Sequence, residues 1–385
     1  MKPRLLTSGV VLFILALITS APDAATGKLP DRTTSIDVAV WYWEWRQPPY
    51  VILIGYLNYP YVVPASELVV WGGENSSILY TETTDIVDDS PYAKGLYRSY
   101  DAGLTWENIN DGFSDNIIET LVVNPDYPAI LLAGTDNRES PGGMYRSIDG
   151  GDSWENVIEG RIIYDIEVSP AASNIIYAST CCWGGIFRSD DYGQTWKQIS
   201  DAALEDLEVH PTQPEVIFGA RQLSTTSEEG IYRSDNAGKT WTQIANIGGQ
   251  HWIIIDDENP DRMYAFGRSY GGIWRTENGG QDWVDLSSGL PYVVTEPTVM
   301  SAALDFQEDL LWIGLKYGGI LVSGDHGNSW AEVNTGLPFV GAGIFGPQCT
   351  SIAISPHHNR LAISCSGRLF VNNIHQLMFL PLIVR

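Results

Sequence analysis

The sequence predicts an all-β protein, and more narrowly a seven-bladed β-propeller with four-stranded antiparallel blades. Three observations support this: a unit that begins with glycine and ends with tryptophan occurs six times, the copies follow each other at just over forty residues, and each interval has room for four short strands. A repeat of this period is typical of stacked supersecondary units, and its strand content is typical of propeller blades. The closing tryptophans are Trp106, Trp154, Trp196, Trp241, Trp283 and Trp330.

The third copy of the unit illustrates why it should form a hairpin. From Gly185 the chain alternates apolar and polar residues as a short strand does. In the Ser189-x-Asp191-x-Gly193 segment that follows, the carboxylate can accept hydrogen bonds from nearby backbone N–H groups, and glycine can adopt a positive φ. Trp196 then opens the returning strand, where its indole can bury a large apolar area. Each unit therefore predicts two strands joined by a tight corner.

These corners resemble the Asp-box, or BNR repeat, of sialidase-like propellers. Copies one, two, three and six match fully, whereas copy four has Asn236 in place of the acid. Copy five has Thr276 at the serine position, Asn278 at the aspartate position and Asp282 at the position before the tryptophan. In the resembling families the box is a structural corner, so the resemblance implies a fold and little about function. The structural Asp-box positions are Ser99, Asp101, Gly103, Trp106, Ser147, Asp149, Gly151, Trp154, Ser189, Asp191, Gly193, Trp196, Ser234, Asn236, Gly238, Trp241, Asn278, Gly280, Trp283, Ser323, Asp325, Gly327 and Trp330.

Seven such units account for residues 26–385, which we expect to form a single domain. The seventh unit lacks the box but keeps the strands, with 378–384 as its last. Alternatively, N-terminal residues before Ile36 add a strand to it and lock the ring. The predicted blades cover residues 36–112, 117–159, 161–201, 203–247, 251–288, 299–336 and 349–385, with an insertion at 56–94 in the first blade.

The first 25 residues have the pattern of a secretory signal peptide. Lys2 and Arg4 precede an apolar run from Gly9 to Ile18, and small residues follow. This run is too short to span a membrane comfortably, although an uncleaved anchor is the alternative. We therefore expect a secreted protein, extracellular or periplasmic, without membrane insertion after cleavage of the signal.

The chain is strongly acidic, with a formal net charge of −25. Repulsion of this range opposes encounter with nucleic acid and anionic lipid, so neither is an expected partner. Cations and neutral sugars remain compatible with the charge, which also serves the solubility of an exported protein. We expect a monomer without a cofactor, although acids on the inner strands could hold a cation such as calcium in the channel.

Arginines recur at one strand position in five successive units. We expect them to pair with acids across blades, with a ligand-binding patch as the alternative. The five are Arg98, Arg146, Arg188, Arg233 and Arg275.

The register of the repeat sorts the loops onto two faces. Loops between strands one and two and between strands three and four share the Asp-box face. The opposite side carries the loops between strands two and three and the connections between blades. We call this side the loop face. In resembling enzymes ligands enter at this second face. Aromatic and charged residues there favour a carbohydrate or protein ligand. The candidate ligand-binding residues are Arg138, Trp183, Arg221, Trp252, Arg268, Tyr270 and Tyr317.

Four cysteines in an exported chain favour oxidation. Counting outward from the turn near His357 places Cys349 and Cys365 nearly opposite each other, which predicts a disulfide. The adjacent Cys181 and Cys182 either pair with each other or remain free. Metal binding by these cysteines is not expected, because no histidine lies at ligand spacing.

Catalytic residues are harder to assign from the sequence. Trp45-Arg46-Gln47-Pro48 resembles the aromatic-Arg-Ile-Pro motif of sialidases, with Gln for Ile, but the register puts Arg46 on the Asp-box face. Arg221, Arg268 and Tyr317 are the residues that could complete a sialidase-like site.

Two-propeller xyloglucanases, which also share the Asp-box, use paired acids. Asp165 and Asp206 occupy equivalent inner-strand positions on neighbouring blades, as do Glu167 and Glu208. Such pairs could suit an inverting glycosidase. The alternative is that they line a wet channel, and the chain covers only one propeller.

Non-enzymatic propellers provide the other comparison. Photosystem II assembly-factor propellers resemble the chain in blade number and in the Tyr-Arg-Ser lead-in to the box, but their role depends on a basic patch. Sortilin-type propellers have more blades and a following cysteine-rich module. We therefore expect a binding or scaffolding module for a glycan or protein ligand, with glycoside hydrolysis of the sialidase-like or xyloglucanase-like type as the alternative.

Overall fold

A computed structural model gives the fold of the chain. It describes residues 44–46, 68–73, 76–84, 94–101, 105–113, 118–135, 142–181, 184–221, 229–247, 251–267, 272–291, 298–305, 308–334, 349–355, 360–365 and 368–373. The predicted signal peptide at 1–25 and the predicted last strand at 378–384 lie outside these residues. No helix in the described residues has the length and apolar character that a membrane crossing requires.

The described residues form seven antiparallel sheets of four strands each, which we number as blades 1 to 7. Blade 1 contains β2 (Leu68–Gly73), β3 (Ser76–Thr84), β4 (Lys94–Ser99) and β5 (Glu107–Asn108). Blade 2 contains β6 (Ile118–Val123), β7 (Leu131–Thr135), β8 (Gly143–Ser147) and β9 (Glu155–Glu159). Blade 3 contains β10 (Ile163–Val168), β11 (Ile176–Thr180), β12 (Gly185–Ser189) and β13 (Lys197–Ser200). Blade 4 contains β14 (Asp206–Val209), β15 (Ile217–Arg221), β16 (Gly230–Ser234) and β17 (Thr242–Ala245).

Blade 5 contains β18 (His251–Ile255), β19 (Met263–Gly267), β20 (Ile273–Thr276) and β21 (Val284–Asp285), and a 3₁₀ turn at Ser287–Gly289 follows it. Blade 6 contains β22 (Val299–Asp305), β23 (Leu310–Leu315), β24 (Gly319–Ser323) and β25 (Ala331–Glu332). Blade 7 contains β26 (Cys349–Ser355), β27 (Arg360–Cys365), β28 (Arg368–Asn373) and, from the other end of the chain, β1 (Glu44–Arg46).

The blades form a closed ring. The first strand of each blade contacts the next blade, and β26 contacts both β22 of blade 6 and β2 of blade 1. The apolar core lies between adjacent blades: Tyr80 and Leu96 of blade 1 pack with Leu121 and Leu131 of blade 2, and similar clusters fill the following interfaces. A single sheet cannot bury both of its faces, so neighbouring blades must do so. The predicted seven-bladed propeller is confirmed.

The first and last blades differ in detail from the prediction. Glu44 pairs with Val371 and Trp45 with Phe370, so this segment completes blade 7 and does not begin blade 1. The inner two strands of blade 1 are β2 and β3, which fall within the range predicted as an insertion, 56–94. That assignment was wrong, because a strand pattern does not specify which sheet the strand joins. An N-terminal strand does complete blade 7, but it is 44–46; the residues before Ile36, which the alternative named, lie outside the described residues.

The Asp-box corner of blade 3 forms the hydrogen bonds that its sequence implies. Ser189 Oγ donates to Asp191 Oδ1 at 2.8 Å, and the N–H of Gly193 donates to Ser189 Oγ at 2.9 Å. The other carboxylate oxygen accepts from Thr195 Oγ1 at 2.6 Å, while Trp196 Nε1 donates to the carbonyl of Gly193. Partial burial opposes ionisation of Asp191, but the hydrogen bonds from Thr195 and Ser189 outweigh it and hold its pKa below the usual value.

The predicted disulfide between Cys349 and Cys365 is confirmed. Cys349 and Cys365 are cross-strand partners on β26 and β27, and they form a buried disulfide. Cys181 is also disulfide-bonded, while Cys182, its predicted partner, lies outside the described residues.

Candidate ligand-binding face

The structure describes three of the seven residues that the sequence assigned to the loop face. Arg221 is the last residue of β15, Trp252 lies near the start of β18, and Tyr317 lies between β23 and β24. All three therefore lie at the loop-face end of their blades, in blades 4, 5 and 6. The other four predicted positions lie outside the described residues; they are Arg138, Trp183, Arg268 and Tyr270.

Trp252 is held by its cross-strand neighbour. It pairs with Phe266 of β19, and the two rings stack with centroids 5.5 Å apart and an interplanar angle of 28°. Phe266 is fully buried and Trp252 is half-buried. The indole is thus fixed against the core on one side.

Two tyrosines of the loop face are exposed. Tyr317 is 48% exposed, and the Lys316 ammonium lies 5.4 Å from the centroid of its ring. Tyr164 is 37% exposed and its hydroxyl donates to Cys181 Sγ at 2.9 Å. The sequence analysis missed Tyr164. The register of β10 against β11 shifts between Ile163 and Asp165, and such a bulge turns a side chain out of the regular alternation.

The predicted acid pair lies on inner strands, but its carboxylates join blades together. Asp165 Oδ1 accepts from the N–H of Ile166 at 2.9 Å, and Oδ2 accepts from the N–H of Leu207 in blade 4 at 2.8 Å. Asp206 repeats the contact one blade further, with Oδ2 accepting from the N–H of Ile253 in blade 5 at 2.9 Å. Both carboxylates thereby satisfy backbone donors of the neighbouring inner strand.

These acids belong to a larger group of interacting acids, which we call the acidic wall: Asp165, Asp206, Glu208 and Asp257, the last in the loop between strands one and two of blade 5. Burial raises the pKa of Glu208 well above its usual range, and the charges of Asp206, Asp165 and Asp257 raise it further. Burial and the charge of Asp256 likewise raise the pKa of Asp257. Among the described residues, no group of three or more His, Cys, Asp or Glu side chains is arranged to hold a metal ion. A channel cation therefore stays a prediction.

The sialidase-like constellation is only partly described. Arg46 lies in the outer strand of blade 7, opposite Leu369. Arg221 and Tyr317 belong to blades 4 and 6, and Arg268 lies outside the described residues.

The recurring arginines mostly bridge adjacent blades, as predicted. Arg98 pairs with Asp152 of the blade 2 corner at 2.6 Å and with Glu107 of its own blade. Arg188 pairs with Glu215 of blade 4 at 3.1 Å as well as with Asp190 of its own corner. The cross-blade prediction is confirmed for these two side chains.

Several of these arginines also cap a backbone carbonyl of the following corner. The acceptor is the residue just before the box glycine, which has a positive φ in each case: Gly150 (φ 76), Tyr192 (φ 62) and His326 (φ 60). The donors are Arg98, Arg146 and Arg275, at 2.6, 2.9 and 2.5 Å. A left-handed corner residue points its carbonyl at the preceding blade, so a guanidinium can satisfy it.

The closed ring and its hydrogen-bonded corners define the chain as an Asp-box β-propeller. It carries the BNR-Asp box repeat: a profile of that family matches residues 186–199 and 231–244, which lie in blades 3 and 4. No curated protein sequence matches the chain.

Solved structures share the fold at low sequence identity. The GH74 xyloglucanase of Xanthomonas campestris has a TM-score of 0.61 and 16% identity, over 86% of this chain and 53% of that enzyme. This chain therefore spans about half of the enzyme's length. A structure of YCF48 bound to D1 peptide has a TM-score of 0.58 and 15% identity, over 89% of this chain and 97% of YCF48. The extracellular domain of the putative one component system BT4673 from B. thetaiotaomicron has a TM-score of 0.56 and 12% identity. The match covers 79% of this chain and 40% of that chain.

Proposed function

We propose that the chain is a binding module that holds a basic, aromatic-containing segment of a partner protein at the loop face. The observation that carries this proposal is that Asp165 and Asp206 of the acidic wall lie in the first half of their inner strands, near the same blade openings as the aromatic side chains. Trp252, Tyr317 and Tyr164 supply the aromatic surface. We further propose that the module is exported by residues 1–25 and acts outside the cytoplasm.

The acidic wall favours a cationic ligand for an electrostatic reason. The pKa of Glu208 is raised because burial and three neighbouring aspartates disfavour its charged form. A lysine or arginine of a ligand placed near these carboxylates would offset their mutual repulsion and favour ionisation of Glu208. The chain's net charge of −25 would also speed the encounter with a basic partner.

The aromatic residues suit a polypeptide more than a charged small molecule. Tyrosine and tryptophan give a large contact area at low entropic cost, and they are enriched where interfaces gain most of their free energy. YCF48, whose length this chain covers almost fully, has been seen with a peptide bound. We take that as support for a peptide ligand rather than a glycan.

Glycoside hydrolysis is the second candidate, favoured by the fold likeness to the xyloglucanase. It would use an acid and base pair on the inner strands, either Asp165 with Asp206 or Glu167 with Glu208. Because the carboxylates of Asp165 and Asp206 already accept backbone N–H groups of the neighbouring blade, we consider that pair structural. Release of reducing sugar from xyloglucan or of sialic acid from sialyl-lactose, abolished in Asp206→Ala, would establish the hydrolase instead.

The binding proposal can be tested on an array of basic peptides that contain tyrosine and tryptophan. The comparison set has the same peptides with every lysine and arginine replaced by glutamate. We expect the purified chain to bind the basic set, with affinity that falls as salt increases. In Trp252→Ala/Tyr317→Ala, binding should weaken by at least about tenfold. In Glu208→Gln, it should weaken less, because one carboxylate of four is lost.

A matched control comes from the Asp-box face. Tyr100 and Tyr127 are 56% and 53% exposed, so Tyr100→Ala/Tyr127→Ala removes comparable aromatic surface from the opposite side. This variant should bind the basic peptides like the parent chain. Equal binding of the acidic set, or equal losses in both double variants, would refute the proposal.

A further inference from the structure

The interface between blades 4 and 5 departs from the rule that the other corners follow. In blade 4 the recurring arginine is Arg233, and its guanidinium pairs with Asp235 of its own corner at 2.7 Å. It also lies 5.4 Å from the ring centroid of Phe218. Among the described residues, Arg233 forms no hydrogen bond or ion pair with blade 5, whereas its counterparts Arg98 and Arg275 bond to the next corner.

The interfaces on the two sides of blade 4 differ by one methylene at a single position. Glu215 of blade 4 and Asp261 of blade 5 are equivalent, because each offers its carbonyl to the N–H of the left-handed residue of its own corner, Ala237 and Gly279. At the interface between blades 3 and 4, Glu215 reaches across to Arg188. Aspartate is shorter, so the same position in blade 5 leaves space in front of its carboxylate.

A cavity of about 280 Å³ occupies that space, on the Asp-box face and away from the loop face. Arg233 and Asp261 contribute opposite charges, Gln281 contributes an exposed amide, and Ile244 contributes an apolar wall. A Cβ on Gly279 would lie 3.3 Å from Asp261 Oδ1 and 3.9 Å from Arg233 Nη1. The two charged atoms therefore face the same point in the cavity.

The chemistry of this lining restricts what can bind. Asp235 and Asp261 outweigh Arg233 in charge, so an anion is disfavoured. A bare cation is also disfavoured, since one carboxylate from Asp261 is far from the six or more oxygens that calcium takes. The volume is slightly below the range of drug-sized pockets. What remains is a small neutral ligand with donors and acceptors on one side and C–H groups on the other.

We propose that this cavity binds one neutral sugar unit. Arg233 Nη1 donates to a hydroxyl oxygen, Asp261 accepts from a neighbouring hydroxyl, and Ile244 packs against ring C–H groups. Vicinal hydroxyls match a facing donor and acceptor, because each hydroxyl both donates and accepts. The site is separate from the peptide-binding face and does not depend on it.

The test uses saturation-transfer NMR with glucose, galactose, mannose and N-acetylglucosamine as probes. The full chain should give a saturation signal with at least one of the four. Asp261→Glu should abolish it by closing the cavity with the ion pair that Glu215 makes to Arg188. Gly279→Ala should also weaken it, since its methyl would point at both charged atoms. The fold should tolerate this change, because Ala237 already occupies the equivalent left-handed position at φ 59.

Two controls make the outcome decisive. Glu215→Asp shortens the acid at the interface between blades 3 and 4, where it pairs with Arg188, and should leave the sugar signal intact. Trp252→Ala should also leave it intact, which separates this site from the loop face. The proposal is overturned if no probe gives a signal with the parent chain. It is also overturned if Asp261→Glu binds as well as the parent, or if the signal disappears in Trp252→Ala instead.

Discussion

The bridging arginines should contribute unequally to stability, and Arg98→Met compared with Arg233→Met tests this. Arg98 is 5% exposed, and it contacts Asp152, Glu107 and the carbonyl of Gly150. Removing it leaves the two acids free to hydrate, since both are about half exposed, but it deprives a part-buried carbonyl of a charged donor. A hydrogen bond to a charged group contributes about 1.5–3 kcal/mol, so we expect a loss of about 3 kcal/mol in total.

Arg233 occupies the same strand position in blade 4 but pairs with exposed Asp235, and its side chain is 33% exposed. An exposed pair contributes about 0–1 kcal/mol, so Arg233→Met should cost less than about 1 kcal/mol. Methionine keeps the apolar stem in both variants. Urea unfolding followed by tryptophan fluorescence measures the difference, and the Arg98→Met midpoint should fall by about 1 M for a chain of this size. Equal midpoints in the two variants would refute the argument that the cross-blade contact stabilises the ring.

Two further predictions concern the corners and the disulfide. The pKa of Asp191 is lowered in the folded state, so its contribution to stability is present above the unfolded value near 4 and is lost as pH falls through the folded pKa. Asp191→Asn, which reproduces the corner of Asn236, should flatten the fall in unfolding free energy between about pH 5 and 2, and an unchanged acid limb in urea titrations would contradict this. Cys349→Ala/Cys365→Ala should lower the unfolding free energy by about 3 kcal/mol, because the disulfide closes a loop of 16 residues. Under reducing conditions, which also open the disulfide of Cys181, the parent chain and this variant should unfold at the same urea midpoint, and a difference between them would point to lost packing.

The fold could be predicted because its information is local and repeated. The Ser189 to Trp196 corner contains its own donors and acceptors, so six copies identify six hairpins without knowledge of their neighbours. The disulfide followed from counting register across one hairpin. The partner of β1 could not be predicted in the same way. A short strand near Trp45 can pair with either end of the ring, and the choice depends on how the closed ring buries its last edge.

The candidate binding residues were harder to predict, because they lie where single blades depart from the repeat. Trp252 and Tyr317 lie at the loop-face ends of their blades, and a ligand-binding role for them stays a prediction; Tyr164 is turned outward by a bulge in β10. The acid pair was placed correctly on neighbouring inner strands, yet its role as a backbone acceptor across blades needed atomic distances. The cavity lies beside Asp261, which is one methylene shorter than the equivalent Glu215, and a pattern of residue types does not show how much space such a difference leaves.

The corner contact itself explains how a repeat protein of this kind can vary its surface. The group that Arg98, Arg146 and Arg275 bind in the next blade is a backbone carbonyl, and Gly150, Tyr192 and His326 all supply it equally well. A carbonyl is independent of the side chain, so the ring can stay closed while that residue changes among the types that tolerate a positive φ. New binding features can then arise at single interfaces, such as the one between blades 4 and 5, without loss of the remaining contacts.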